Sequence, residues 1–348
     1  MDPQAHIRSR QPDGAYQPRS GLSEGILNRF GHVSRRLAFG AALLTALLSV
    51  ASTTHAANAI AITVSIPSTL SGLPVRLAEE KGYFREAGLD AKIVTLGAGS
   101  AAVPQLLGGQ INFAAVDSVV TLTARSKNIS LLMIAPNTVG VANIERGYGN
   151  LIASAASPVK TLKDLLGRTV AVNQINGTAW ANTRAMLDNA GVDSSKVQFL
   201  EVPPPQMVAA LQQGRADAAV LSEPSASMAI GQGMRQLANV EAGTVAGDHT
   251  FTFVSAEAWA KANPEAVRKF NAVILKANAE LNTNREQAIA LASRHTSVPP
   301  EVLAKVFMPN FGTVPITPET LQKVVAIATK YGVLSADKLP PLASMIFK

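Results

Sequence analysis

From Ala61 onward the chain alternates between two hydrophobic patterns. Short unbroken apolar runs, of which AITVSI at Ala61–Ile66 is the first, mark strands buried on both faces. Between them apolar residues recur three and four apart, the spacing of a helix with one buried side. Ala61–Ile66, Ala91–Leu96, Asn112–Val116 and Ser130–Ile134 read as strands, with Leu70–Ala87, Ser100–Leu107 and Ser118–Arg125 as the helices between them. Alternation of this kind predicts βαβ units and a mainly parallel sheet.

The same order is then written again. Thr169–Asn173, Val197–Leu200 and Asp217–Leu221 are predicted strands, and Thr178–Ala190, Pro205–Gly214 and Glu223–Gly231 predicted helices. The repetition reaches the letters themselves. LLGGQINFAAVDS, from Leu106 to Ser118, is answered 105 positions later by LQQGRADAAVLSE, from Leu211 to Glu223. The first leucines, Gly109 and Gly214, Asn112 and Asp217, and Ala114 and Ala219 coincide. Upstream, AGLDAKIVTL from Ala87 is answered by AGVDSSKVQFL from Ala190. Solenoid units repeat every 20–50 residues or so, so this longer period fits a duplicated α/β lobe.

After Gly247 the rhythm changes. Thr250–Val254 reads as one more strand, and beyond Glu257 come helices without a counterpart in the repeat: Pro264–Leu281, Glu286–Arg294, Pro300–Val306 and Pro318–Tyr331. Several open with proline in the first turn, where its missing N–H costs nothing. A tail present once is placed most simply by a chain that leaves its first lobe, builds a second, and returns. The crossings are expected near Tyr148–Ala155 and Asp248–Val254. The division that follows is 57–149 with 251–348 for lobe one and 150–250, hinge crossings included, for lobe two.

Composition narrows the function. With 47% apolar and 16% charged residues over 348 positions the chain is globular and long enough for two domains. Of the formal charge of +7, +3 falls in residues 1–56, and the remainder has no basic cluster, so a nucleic-acid partner is not expected. The absence of cysteine excludes disulfides, thiol catalysis, iron–sulfur clusters and thiolate zinc sites. Beyond residue 56 only His249 and His295 remain, far apart and without carboxylates at ligand spacing, so neither a metal nor histidine catalysis is expected. Residues 1–56 read as an export signal with a long basic leader. Ser34-Arg35-Arg36 precedes the apolar run Leu37–Ala51, and small residues offer cleavage after Ala56 or Ala59. The run is shorter than the roughly 20 residues of a membrane span. Phe39 stands one place later than the twin-arginine pattern prefers, which leaves the general secretory route open as well.

PVRLAEEKGYFREAGLD (Pro74–Asp90), LLGGQINFAAVDS, SPVKTLKDLLGRTVAV (Ser157–Val172) and LQQGRADAAVLSEP, in this order and followed by a helical tail, resemble the solute-binding proteins of ABC transporters in the nitrate/sulfonate/taurine (NMT1/THI5-like) group. The resemblance implies a two-lobed type II periplasmic-binding-protein fold, each lobe a mainly parallel sheet flanked by helices and joined to the other by a two-strand hinge. It further implies a periplasmic, monomeric, cofactor-free protein. Its ligand would be a small organic anion, a sulfonate or carboxylate and taurine-like molecules among them, passed to an ABC permease and ATPase complex. An enzyme on the same fold, similar to the pyrimidine synthases or the menaquinone-pathway lyases, is the alternative. The synthases use cysteine-rich motifs, which this chain lacks. A ligand-sensing receptor subunit is a third reading.

Open parallel sheets bind ligands outside the carboxyl ends of their strands. That rule selects Ser68, Thr69, Gly99, Ser100, Asp117, Ser118 and Asn137 in lobe one, and Asn173, Thr178, Trp180, Ser222 and Glu223 in lobe two. Helix N-termini at such loops carry partial positive charge and free N–H groups suited to an anion. None of these loops contains lysine or arginine, which favours a singly charged group over a polyphosphate. Gly97–Ala102 matches G-x-G-x-x-A, but it follows the second strand rather than the first, so it reads as an anion-cradling loop, not a dinucleotide site. Plainer roles exist for several candidates. Ser100, Ser118 and Thr178 are also natural helix caps. Glu223 either caps its helix or meets a ligand amine, and Trp180 is either packing or an aromatic wall.

Overall fold

The computed structural model describes residues 59–96, 101–296 and 298–348. The strands are β1 (Ile60–Pro67), β2 (Leu89–Leu96), β3 (Phe113–Asp117), β4 (Leu131–Val139), β5 (Gly149–Ala153), β6 (Thr169–Val172), β7 (Gln198–Glu201), β8 (Ala218–Ser222), β9 (Arg235–Asn239) and β10 (His249–Ala256). They form two five-stranded sheets, ordered β2-β1-β3-β10-β4 and β7-β6-β8-β5-β9. The two orders correspond place by place, as the repeat requires. In each sheet four strands run one way and the fourth in order runs against them: β10 is antiparallel to β3 and β4, and β5 to β8 and β9. The sheets are therefore mixed. The reversed strand is always the one that has just arrived from the other sheet. It enters at the end where the parallel strands stop, and must run back along them.

Both sheets are covered on both faces, which is why their inner strands lack polar alternation. The helices Leu73–Glu80, Pro264–Thr283 and Arg285–His295 pack on one face of the first sheet. Ala102–Leu107, Ser118–Ser126 and Gln322–Lys330 pack on the other. Thr178–Asn189 covers one face of the second sheet, and Met207–Gln212 with Ser225–Gly231 the other. The helical tail belongs to the first sheet's two cores; Ile327, Tyr331 and Val333 also touch the second sheet's core. Among the described residues no helix is long and apolar enough to cross a membrane.

The coinciding letters of the repeat have matching structural duties. Leu106 and Leu211 are buried, and Gly109 and Gly214 take left-handed φ of +72° and +69° to end their helices. The Asn112 side chain accepts the N–H of Thr63, and the Asp217 side chain accepts that of Thr169. Each starts the parallel ladder at the same place in its sheet. Ala114 and Ala219 follow, both fully buried. The strand ends then differ in chemistry, Asp117-Ser118 against Ser222-Glu223.

The chain passes between the sheets at residues 140–148 and 240–248, a little earlier than the expected crossings, because β5 and β10 are already sheet. The two passages lie against each other. Gly140 donates its N–H to Asp248, Gly247 donates to Gly140, and Asn239 donates to Ile144. Contact this close requires glycine. A Cβ at Gly140 would stand 2.5 Å from the Val245 carbonyl oxygen. Gly140→Ala is therefore expected to push the passages apart and destabilise the fold by about 1–3 kcal/mol, read by urea denaturation; an unchanged midpoint would refute the tight contact.

Other expectations needed correction. Leu70–Ala87 is not one helix: a turn at Leu70–Gly72 leads into Leu73–Glu80, and Gly82 at φ +75° separates this from Tyr83–Glu86. The helix expected at Pro300–Val306 ends at Leu303. β9, RQLAN, has no apolar run to mark it in the sequence; it becomes a strand by pairing with β5. The export signal over 1–56 and the Gly97–Ser100 loop, with Gly99 and Ser100, lie outside the described residues.

Candidate functional site

The parallel strands of both sheets end toward the space between them, and there the two halves touch. Asp117, at the end of β3, caps the helix Ser118–Ser126 by accepting the Val119 N–H on Oδ1 at 2.8 Å. The same oxygen accepts the hydroxyl of Thr178, the first residue of the helix Thr178–Asn189, at 2.5 Å. One carboxylate thus caps a helix of the first sheet and receives a donor from the second. Asp117 keeps some surface toward the cleft, yet burial pushes its pKa up to about 6, against the opposing pull of Thr178 and the backbone donors.

Further polar groups come from other strand ends and from the passages between the sheets. The hydroxyls of Thr69 and Ser71 bond each other at 2.9 Å and lie against the buried Tyr148 hydroxyl, whose pKa is raised chiefly by burial. Glu241, on the second passage between the sheets, is 7% exposed. Burial pushes its pKa up to about 7 against the pull of the Val141 N–H that its carboxyl accepts, and the charge of Asp117 adds a smaller rise. Asn137 is fully buried, and neither its Oδ1 nor its Nδ2 has a partner among the described residues.

Several candidates turn out to be occupied by the protein itself. The Ser118 hydroxyl donates to the His249 carbonyl at 2.7 Å and is wholly buried, so it ties β10 to the helix start. Trp180 is a packing residue rather than a free wall. Its ring meets Phe199 and Tyr331 edge-on and carries the Arg184 guanidinium 4.9 Å from its centroid. Glu223, 2% exposed, accepts the N–H and hydroxyl of Ser227 and the Phe307 N–H from the tail. Its carboxylate is a clamp across the cleft, not an empty partner for a ligand amine. Burial raises its pKa, partly offset by these donors. Glu223→Gln puts an NH2 group where one donor already points, with an expected loss of about 1–3 kcal/mol, the same in thermal unfolding with or without any solute. A ligand-specific effect would restore the amine role. Ser68, Asn173 and Ser222 are exposed, and Thr69 and Thr178 half-buried.

Beside Glu223 a groove of about 530 Å³ is lined by Arg146, Ser227, Ile230, Gly231, Gln236 and Lys305. Arg146 donates to the Lys305 carbonyl there. Tertiary structure thus supplies cations near a cleft whose strand-end loops contain none.

The family profile described as NMT1/THI5 like matches residues 71–288, more than half of the chain. The chain belongs to the NMT1/THI5-like family. An Escherichia coli (strain K12) protein named "Putative aliphatic sulfonates-binding protein" is 26% identical over 263 residues, 75% of this chain and 80% of that protein. The crystal structure of the periplasmic aliphatic sulphonate binding protein SsuA from Escherichia coli superposes with a TM-score of 0.65 at 21% identity, covering 82% of this chain and 97% of that one. The periplasmic nitrate-binding protein NrtA from Synechocystis PCC 6803 gives 0.65 at 16% identity, over 82% and 86%. These relatives are named as binding proteins, not enzymes, and the shared architecture is the two-lobed periplasmic-binding-protein fold.

Within this NMT1/THI5-like chain, strand-end reasoning names Asp117, Thr178 and Thr69 among these polar groups but not Ser71, Tyr148 and Glu241. Ser71 lies two residues beyond Thr69 in the same loop, between β1 and the helix Leu73–Glu80. Tyr148 and Glu241 lie on the passages between lobes, where no hydrophobic period marks a position; only a polar residue just outside a strand could have drawn attention to them.

Proposed function

We propose that this chain is the extracytoplasmic solute-binding component of an ABC importer, closing its two lobes on a small organic anion and handing it to a permease and its ATPase. In this reading residues 1–56 are an export signal, 57–149 with 251–348 form lobe one, and 150–250 form lobe two. The protein works as a monomer, without catalysis. The hydrogen bond from Thr178 to Asp117 carries the proposal: it joins the starts of two facing helices, one from each sheet, so a solute between them would be gripped from both sides. Helix N-termini favour an anion, Thr69 and Asn137 add neutral groups, and Arg146 and Lys305 add charge at the flanking groove. The names of the sulfonate- and nitrate-binding relatives support the same class. Native mass spectrometry of protein purified from its own host should show a retained solute below a few hundred daltons. Small-angle scattering should then show compaction when solute-free protein is resupplied. Protein that retains nothing, and keeps one radius with sulfonates, carboxylates and nitrate alike, would overturn this reading.

A further inference from the structure

The tail helix Gln322–Lys330 and the turn after it pack into both halves of the molecule. Ile327 and Val333 lie against a core of the first sheet and against one of the second. The turn makes this possible. Gly332 takes φ +73°, and its N–H and that of Val333 close on the Thr329 and Ala328 carbonyls, so the chain doubles back and Val333 and Leu334 turn inward. Both ends of the helix are tied. At its start the Asp248 carboxylate, at the end of the second passage, accepts the N–H groups of Lys323 and Val324 at 2.6 and 3.2 Å. Past its end the Tyr331 hydroxyl donates to Asp188, on the helix Thr178–Asn189 of the second sheet, at 2.6 Å. One turn earlier on that helix the Arg184 guanidinium lies 4.9 Å from the ring centroids of both Trp180 and Tyr331, and its Nε donates to the Ser194 hydroxyl at 3.1 Å. A cation shared by two rings holds only while both rings stay in place. Asn189, the last residue of the same helix, donates to the Gly243 carbonyl on the second passage at 3.0 Å.

The helix Thr178–Asn189 is thus held at both ends, with unequal strength. At the cleft, Thr178 gives a single hydroxyl to Asp117. Asp188 stands about 15 Å further along the axis, at 1.5 Å per residue. There a phenol, a shared cation, apolar side chains and the passage itself act together. The first contact can break while the second stays. We propose that the Arg184–Asp188–Tyr331 clamp persists in both the open and the closed protein and is the pivot about which the halves rotate. The tail helix then serves as a third, non-covalent connection beside the two passages. Rotation parts the Thr178 end of the helix from Asp117 and leaves the Asp188 end where it is. This rests on the solute-binding reading above and adds the fixed point of its motion.

Thermodynamics separates a pivot from an ordinary closing contact. An interaction present in both states cannot bias the balance between them. Tyr331→Phe keeps the ring and removes the donor. It should lower the melting temperature, yet keep the open-to-closed ratio within about twofold of the parent. A clamp made only on closure would behave otherwise, and its loss would shift the ratio toward open as Thr178→Val does.

Spin labels on cysteine pairs in the purified protein read both ends of the helix. Ser68 with Gln174 spans the cleft, Ser195 with Lys330 flanks the clamp, and all four positions are exposed. In Thr178→Val the first distance should widen and the second should hold. Trp259→Phe leaves Trp180 as the single tryptophan, and its emission should be the same with threonine or valine at 178. Tyr331→Ala removes the ring as well, so it should alter that emission and broaden the second distance. If this variant fails to fold, Arg184→Met makes the same test. Emission and distance unchanged in the clamp variant would show that the clamp holds nothing and overturn the proposal. Widening of both pairs together in Thr178→Val, or a shift in Tyr331→Phe as large as in Thr178→Val, would also overturn it, while leaving the solute-binding reading intact. A Ser68–Gln174 distance that stays fixed in Thr178→Val, and under saturating ethanesulfonate and nitrate alike, would mean that the halves do not open, which sinks both.

Discussion

Phe270→Ala is expected to cost about 3–5 kcal/mol of stability, among the largest effects of any single truncation in this fold. Phe270 is fully buried on the helix Pro264–Thr283. It stacks on Phe113 of β3 with ring centroids 3.9 Å apart and planes 3° from parallel, and meets Phe253 of β10 edge-on at 5.3 Å. Phe84 stacks on it at 6.1 Å. One ring therefore joins the tail to a strand from the repeat and to the strand that returns across the hinge. Its loss leaves a cavity that three aromatic neighbours, held by backbone in different elements, cannot collapse to fill. For a domain of 150–250 residues each kcal/mol moves the midpoint by about 2–4 °C, so the melting temperature should fall by roughly 6–20 °C. Phe270→Leu should recover part of it. A fall of only a degree or two would mean that the tail does not depend on this cluster.

Thr178→Val should shift the balance between closed and open lobes about 10- to 150-fold toward open, the worth of a hydrogen bond to a charged group. Valine keeps the shape and removes the donor. The remaining bridges, from Phe307 to Glu223 and from the Tyr331 hydroxyl to Asp188, hold other parts of the cleft and should keep the lobes folded. Because the chain has no cysteine, label pairs can be placed at will. Cysteines at the exposed positions Lys92 and Lys196, one beside each sheet, would report the separation by energy transfer. The separation should widen in Thr178→Val and return in Thr178→Ser. An unchanged distance would show that this contact follows closure rather than supporting it. Solute affinity should fall in step, since a cleft that spends less time closed presents its two sides together less often.

Much of the architecture was readable because the physics behind it is local. Unbroken apolar runs such as Phe113–Val116 arise only where both faces of a strand are covered, and they named the inner strands. Gly109 and Gly214 marked the ends of equivalent helices because only glycine takes that backbone conformation without strain. Asn112 and Asp217 matched because a side-chain acceptor must meet the same N–H at the start of each ladder. What stayed hidden was pairing over long distances. RQLAN carries no signal of its own and is a strand only because β5 lies beside it. The reversal of β5 and β10 was likewise invisible, since direction within a sheet depends on the end at which a strand enters.

At the site the same boundary applies to individual side chains. Strand-end residues were legible as a set, because loops after parallel strands face a common side whatever their letters. Their separate duties were not. Ser118 and Glu223 look as available as Asp117 and Thr178 in the sequence, yet the first two are consumed by His249, Ser227 and Phe307. Trp180 offered an aromatic ring without showing that Phe199, Tyr331 and Arg184 surround it. Sequence alone determined the duplicated α/β plan, the single helical tail and the edge of the cleft, because each is carried by periodicity and backbone chemistry within a few residues. Tertiary structure alone decided which polar groups are left over once the fold has taken its share, and it set Thr178 against Asp117, 61 positions apart. Hydrogen-bond capacity is finite, and only the assembled neighbours determine how much of it remains for a ligand.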